Sequence, residues 1–225
     1  MSLNRVVVVG RLHGDLKTSF NVYGVTFFDC TVAVQRMSGT MDYLRTVIPA
    51  TVAVSSGFEK PWDLQGRVLR MTGEIKTYNR IVEGKKRHYI VLRVAKIEEA
   101  HDIRSENSVS LIGKISSEPV FRQTPFGREI CDFMVAVDRN YWKSDYIPCI
   151  AWGTTARLVS TLAVGQIVEL AGRFQSREYV KRLESGEQET RTAYEVSVKR
   201  VCTREEENRL IAEPEKEKCI LKEGE

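Results

Sequence analysis

No Cys-x-x-Cys pair occurs in this chain: its five cysteines, Cys30, Cys131, Cys149, Cys202 and Cys219, are odd in number and far apart. Neither a disulfide framework nor a zinc ribbon fits that spacing, and the thiols are read as reduced. Histidine is scarcer still, and His13, His88 and His101 are too scattered for the usual histidine-based metal or acid–base sites. Long apolar runs are lacking as well. The longest uncharged stretch, Thr46 to Phe58, is interrupted by Pro49, Ser55, Ser56 and Gly57, and it falls short of the roughly 20 apolar residues of a membrane helix. Met1-Ser2-Leu3-Asn4-Arg5 leads straight into a valine-rich run with no basic, apolar and small-residue leader pattern, so a cytoplasmic location is expected. There is no acidic cluster for a divalent metal, no glycine-rich phosphate loop and no nucleophile–base pair. Asp132, Asp138 and Asp145 come nearest, but they sit at repeat or turn positions and read as structural. An enzyme finds no support, and no catalytic residue, metal or cofactor is expected.

What remains is the balance of a soluble globular chain: 225 residues, 42% hydrophobic and 28% charged, with a net charge of +4. That length suggests one to two domains. The charge is uneven, with a net of +5 over residues 1–106, +2 over 107–201 and −3 over 202–225. The body is thus more basic than the whole, which is compatible with a polyanionic partner without demanding one.

An internal repeat organises the chain. Asn4–Leu12 lines up with Asn107–Ile115, and Asp29–Arg36 with Asp132–Arg139, both at an offset of 103. Ile48-Pro49 matches Ile147-Pro148, and Gly66–Gly73 matches Gly165–Gly172, at an offset of 99, which places four extra residues of the first copy between Arg36 and Ile48. The expected organisation is a barrel over 1–98, a polar linker over 99–106, a second barrel over 107–202 and a charged tail over 203–225. Val, Ile, Phe and Thr runs bounded by turn residues predict strands around 5–12, 25–36, 45–54, 67–80 and 87–98, and again around 108–115, 130–139, 145–152, 166–179 and 191–201. Ala156, Leu158, Val159 and Leu162 recur at helical spacing in Thr154–Leu162, with a threonine placed to cap a short helix; the equivalent stretch of the first copy contains Pro61 and is the poorer helix. Five strands with a helix between the third and fourth is the order of the OB-fold, so the fold class expected is all-β, two tandem five-stranded Greek-key barrels.

The second copy resembles the bacterial single-stranded DNA-binding protein family along its length. The residues are Asn107–Lys114, Asp132–Arg139, Asp145–Gly153 and Val164–Tyr179, four motifs in order; the first copy is similar mainly at Asn4–Leu12 and Asp29–Arg36. The resemblance implies binding of single strands, and it implies stacking of bases on aromatics in the loop after the second strand, at two positions of the third and at the end of the fourth. Those positions fall on Tyr141 or Trp142, Tyr146, Trp152 and Tyr179. The residues support it on their own terms, because a sequence-indifferent binder needs flat aromatic faces and neighbouring cations. Tyr146 and Trp152 are an even number of residues apart, hence on one face of a strand, and Arg139, Lys143, Arg173 and Arg177 supply charge.

Aligned on its Ile-Pro pair, the first copy sets Val47 against Tyr146, Ala53 against Trp152 and Arg80 against Tyr179, so its aromatic platform reads as largely absent. Tyr43 and Tyr78 remain, with a basic set of Arg36, Arg45, Lys76, Arg80, Lys85, Lys86 and Arg87 that suits a weaker, electrostatic contact. The family's acidic tail with a hydrophobic tip, which recruits replication and repair proteins, is matched only in part: this tail is acidic but lysine-bearing and ends in glutamate, and it reads as a solvated helix with a disordered end. The function expected is coating of single-stranded DNA in replication, recombination or repair at the nucleoid, by a homodimer giving four barrels. The second reading is an accessory module of a replication-restart, plasmid or phage type, in which one barrel holds a protein partner.

Overall fold

Runs rich in β-branched residues, alternately buried and exposed, form strands that curl until their edges meet. A computed structural model of the chain describes residues 3–22, 24–82, 84–100, 106–139, 143–182 and 186–203, and the side chains of residues 20–22, 85 and 86 fall outside that description. The N-terminal half contains β1 (Leu3–Val22), β2 (Val25–Gln35), β3 (Met41–Pro49), α1 (Ala50–Ser55), a 3-10 turn (Pro61–Leu64), β4 (Val68–Val82) and β5 (Lys85–Glu99). The C-terminal half contains β6 (Asn107–Ile115), β7 (Val120–Gln123), β8 (Glu129–Asp138), β9 (Ser144–Trp152), α2 (Gly153–Val159), β10 (Ile167–Arg182) and β11 (Gln188–Thr203).

Each half closes on itself. β1 pairs with β2 and β4, β2 with β3 and β4 with β5, all antiparallel, and a parallel contact of β3 with β5 seals the ring. The C-terminal ring repeats this order through β6, β8, β9, β11 and β10. Both are OB-fold barrels, and the molecule is all-β apart from its short helices. The barrels are fused, because β1 also pairs antiparallel with β6 from Leu3↔Ile112 to Val8↔Asn107, giving one eleven-stranded sheet. Val6 faces Val109, which is its own repeat mate, so a pseudo-twofold axis passes through that pair. Inward residues such as Val6, Val8, Leu69 and Met71 on one side and Val109, Leu111, Val168 and Leu170 on the other join a single buried cluster.

Four sequence expectations need correction. β7 is an unforeseen strand; it is the counterpart of the second half of β1, since Lys17 pairs with Asp29 as Val120 pairs with Asp132, and Ser116-Ser117-Glu118-Pro119 interrupts the run in the second copy. The third strand ends at Pro49, and residues 50–54, read as strand, form α1. α2 begins at Gly153 behind Trp152, with no side-chain cap from threonine. The fourth correction concerns register. Ala33 pairs with Tyr43 as Ala136 pairs with Tyr146, so the offset of 103 persists through β3 and β9, and the four extra residues lie after β3, in the stretch of α1 and the 3-10 turn.

The long β4–β5 and β10–β11 hairpins each reach across to the opposite barrel, and their outer edges are closed first by an asparagine of their own barrel and then by an Asp–Arg couple of the other. Asn4 accepts from the Ile75 amide at 2.9 Å and donates to its carbonyl at 2.7 Å; Asn107 does the same for Phe174. Two residues further along, Asp145 accepts from the Thr77 amide at 2.6 Å while Arg139 donates to the Thr77 carbonyl at 2.6 Å. The mate of this pair treats Ser176 alike, through Asp42 at 2.9 Å and Arg36 at 3.3 Å. An Asp–Arg couple thus offers one acceptor and one donor, as a neighbouring strand would, and an edge otherwise open to aggregation is satisfied. Asp42 and Asp145 are almost completely buried, which is tolerable because each carboxylate also holds its arginine by two hydrogen bonds.

At the register shift within each hairpin, where β4 lies against β5 and β10 against β11, Gly73 and Gly172 are required by close approach. A Cβ at Gly73 would stand 2.1 Å from the Arg93 carbonyl oxygen, and one at Gly172 2.4 Å from that of Ser197. Burial pushes the Cys30 thiol up to about 12 and the Cys131 thiol to about 11, with Asp29 and Asp132 adding to the effect. These thiols are therefore protonated at neutral pH.

Candidate nucleic-acid interface

Residues of even spacing on β3 and β9 point away from the barrel cores. Tyr43 is 43% exposed, its mate Tyr146 49% and Trp152 39%. Tyr43 therefore takes the place in the first barrel that sequence alignment assigned to Val47, and Pro49 rather than Ala53 stands opposite Trp152. The first barrel is not as poor in aromatics as its sequence suggested.

Three adjoining depressions surround the Tyr43–Arg45 stretch. On the N-terminal barrel, a cleft of about 420 Å³ is lined by His13, Lys17, Arg45, Tyr78, Arg80 and Tyr89 among others. Near the pseudo-twofold axis, a groove of about 580 Å³ takes in Arg45, Arg87, Tyr89, Tyr179, Arg191 and Tyr194. At the junction of the barrels, a groove of about 820 Å³ brings Tyr43 of β3 together with Trp152 of β9, Tyr194 of β11, and Arg36, Arg173 and Arg177. The three share residues, so they form one branched surface.

Electrostatics distinguishes the cations along it. Arg173 is partly buried, and its hydrogen-bond partner is the neutral Gln175 at 3.0 Å. Burial and the nearby Arg36 hold its guanidinium below the usual value, with Asp42 opposing, so this cation gains from an incoming anion. Arg177 lies 5.8 Å from the Tyr179 ring and 3.4 Å from Glu195. Arg36 is committed: its hydrogen bond to Asp42 raises its pKa and fixes it in the junction. Arg139 is bound to Asp145 in the same manner, and Lys76 lies 2.9 Å from Glu74 and 3.4 Å from Asp145. Arg36, Arg139 and Lys76, read from sequence as phosphate contacts, thus each have a carboxylate partner at a junction of the barrels.

The remaining sequence candidates divide by position. Trp152, Tyr179, Arg173, Arg177, Arg45, Tyr78, Arg80 and Arg87 all line the branched surface. Tyr146 does not join it: its backbone is held at the other junction, by the Thr77 hydroxyl at 3.0 Å and by His88 Nε2 at 3.1 Å. The matching depression there is lined by Glu74, Lys76, Arg93, Asp138, Arg139 and Asp145, with both charge signs already paired. Lys143 is exposed. Tyr141 and Trp142 lie outside the described residues, as do the side chains of Lys85 and Lys86, most of the linker, and the tail from residue 204.

Sequence reasoning overlooked Tyr89, Tyr194 and Arg191, and it undervalued Tyr43. The Tyr78 and Tyr89 rings stack at 5.4 Å with an interplanar angle of 3°, because the residues are cross-strand partners in the β4–β5 hairpin. Counting outward from Val82↔Lys85 pairs them, so the signal was present.

Comparison with known proteins agrees with this geometry. The model of the "Single-strand binding protein family" matches residues 106–203. Single-stranded DNA-binding protein A of Bacillus subtilis is 32% identical over 80 residues, which span 32% of this chain and 46% of that protein. Single-stranded DNA-binding protein 1 of Streptococcus pyogenes is 34% identical over 80 residues, covering 32% of this chain and 62% of that protein. The match thus spans about half the length of these relatives, which are named as binding proteins rather than enzymes. In fold, the wild-type single-stranded DNA binding protein from Thermus aquaticus superposes with a TM-score of 0.70 at 21% identity, over 90% of this chain and 93% of that one. The resemblance seen in the second copy is thus matched by both comparisons: residues 106–203 are similar to the single-strand binding protein family, and the whole chain shares the fold of the Thermus aquaticus protein.

Proposed function

We propose that the protein binds single-stranded DNA with little sequence preference, by base stacking and phosphate contact, and protects it during replication, recombination or repair. The observation that carries this reading is the junction groove, where Tyr43, Trp152 and Tyr194 meet beside Arg173, a partly buried cation whose hydrogen-bond partner is neutral. Flat faces beside an anion-seeking guanidinium suit a strand whose bases are free to stack, and a duplex hides those faces. The name of the family that residues 106–203 match supports the same ligand. The 1–98 and 107–202 units act as one body in this reading, because side chains of each close the sheet edges of the other. A homodimer would present four barrels. Titration with oligo-dT and a matched duplex at two salt concentrations, following tryptophan fluorescence, tests the proposal. Quenching by the single strand with little response to duplex is expected; no quenching and no affinity would overturn it.

A further inference from the structure

Two apolar features lie on opposite barrels, away from the strand surface. The first is a groove of about 530 Å³ on the N-terminal barrel, walled by Val25 and Phe27 of β2, Pro49 of β3, Val52 of α1, and Val94 and Ala95 of β5. The second is the tip of the β7–β8 hairpin, where Phe126 is 92% exposed. The Thr124 amide donates to the Arg128 carbonyl and the Gly127 amide to that of Thr124, both at 2.8 Å, so a closed turn holds the ring outward. Val120 and Phe121 leave further apolar surface along the same hairpin. A projecting aromatic with apolar surface beside it marks an interaction site.

The repeat shows that the groove is particular to the first barrel. Val25 and Val52 correspond to Arg128 and Thr155, Glu74 to Arg173, and, through the matching β3–β5 and β9–β11 pairings, Ala95 to Lys199. Three cations of the second barrel are thus replaced by two apolar residues and a carboxylate. Arg93, at the place of Ser197, is the one cation gained, and Glu74 balances it. A polyanion finds no surplus charge to hold it here, whereas an apolar side chain finds matching walls. One polar contact is on offer at the rim. Glu74 holds Lys76 through Oε2 at 2.9 Å, but its Oε1 has Arg93 only at 3.7 Å. Arg128, beside the hairpin tip, is exposed and holds no ion pair among the described residues.

We infer that this groove seats the β7–β8 hairpin of a second copy of the chain, with Phe126 entering between Val25, Val52 and Ala95 and Arg128 meeting Glu74. The groove lies on β2, β3 and β5 and the tip on β7 and β8, at the two ends of the strand order, so the contact is made between molecules. Its two surfaces differ, and each copy offers one of each, which makes the contact heterologous and repeatable from copy to copy. A single ring in a groove binds weakly, and gains when copies are held side by side. The contact goes beyond the single-strand reading and does not depend on it.

The test is sedimentation velocity of the full chain over a wide concentration range, without nucleic acid. A sedimentation coefficient that keeps rising with concentration is expected of the parent. Phe126→Ser, at a fully exposed side chain, should abolish the rise, as should Val25→Arg/Val52→Thr, which installs the residues that the second barrel carries at those positions. Both should melt like the parent; Ala95→Lys, at an exposed position, serves if the double variant melts early. Mixing the hairpin variant with the groove variant should restore association, because one supplies an intact groove and the other an intact hairpin. A parent that does not associate as concentration rises, a rise that survives either substitution, or a mixture no larger than its components would overturn the contact. Oligo-dT binding is measured separately, so none of these outcomes bears on the strand reading.

Discussion

The two barrels share a chain path and differ in where they keep charge. At one junction, β3 of the N-terminal barrel meets the β10–β11 hairpin with Tyr43, Trp152, Arg173 and Arg177 around an open groove. At its pseudo-symmetric mate, β9 meets the β4–β5 hairpin, and Glu74 stands where Arg173 does, binding Lys76 at 2.9 Å. The buried Asp–Arg couples that fasten the two junctions are nearly identical. Symmetry has thus been kept where it holds the barrels together and lost where a ligand would lie. A polyanion meeting this surface finds one junction receptive and the other already neutralised.

The strongest way to break the shared part of that comparison is to remove a fastening carboxylate. Asp145→Ala leaves Arg139 without its partner and the Thr77 amide unsatisfied, and should cost about 3 kcal/mol in urea unfolding, at the lower end for a buried pair because Arg139 is partly exposed. Asp42→Ala should cost somewhat less, because Asp42 lacks the additional lysine contact that Asp145 has with Lys76. If Asp42→Ala proves the more damaging, the junctions are not the equivalents their hydrogen bonds describe.

Much of this fold is legible in the amino-acid sequence. The Asn4/Asn107, Asp29/Asp132 and Gly73/Gly172 matches mark a repeat, and the asparagines and glycines among them have a physical cause, in a sheet edge and in a close backbone approach. What misled was Ile48-Pro49, whose likeness to Ile147-Pro148 is local. Burial alternation alone cannot reject a shift of four, because an even shift keeps every residue on the same face of a strand. Only the pairing of Ala33 with Tyr43 fixes the register, and with it the aromatic of the first barrel. The junction role of Arg36 and Arg139 was illegible for another reason: their carboxylate partners Asp42 and Asp145 are only six residues away, but the carbonyls they reach, at Ser176 and Thr77, are distant in sequence and belong to the other barrel.

The differing part of the comparison is sharpened by the aromatics. Trp152→Ala should weaken oligo-dT binding by about 2 kcal/mol, within the usual worth of a stacked base, with the thermal melt little changed. Tyr43→Ala should follow at about 1 kcal/mol or more. Tyr146→Ala, at the neutralised junction, should lose less than either. Equal losses at Tyr43 and Tyr146 in fluorescence titrations would show that a strand visits both junctions, and that the difference in their charge does not steer it.

The smallest effect separates the cations. Arg80 and Arg177 each sit beside a tyrosine in their own barrel, at 5.2 and 5.8 Å from the ring. Each phosphate contact released with a counterion contributes about 0.7 to the slope of log affinity against log salt. Arg177→Gln should therefore lower that slope by about 0.7, and Arg80→Gln by a similar amount if the strand continues onto the N-terminal barrel. Replacing Lys85, Lys86 and Arg87 together by alanine extends the measurement along the same hairpin, with a further drop of about 0.7 for each that meets a phosphate. A slope that responds to Arg177 alone would confine the phosphate path to the second barrel; a slope that responds to both barrels requires the strand to cross the pseudo-twofold axis, past Arg45.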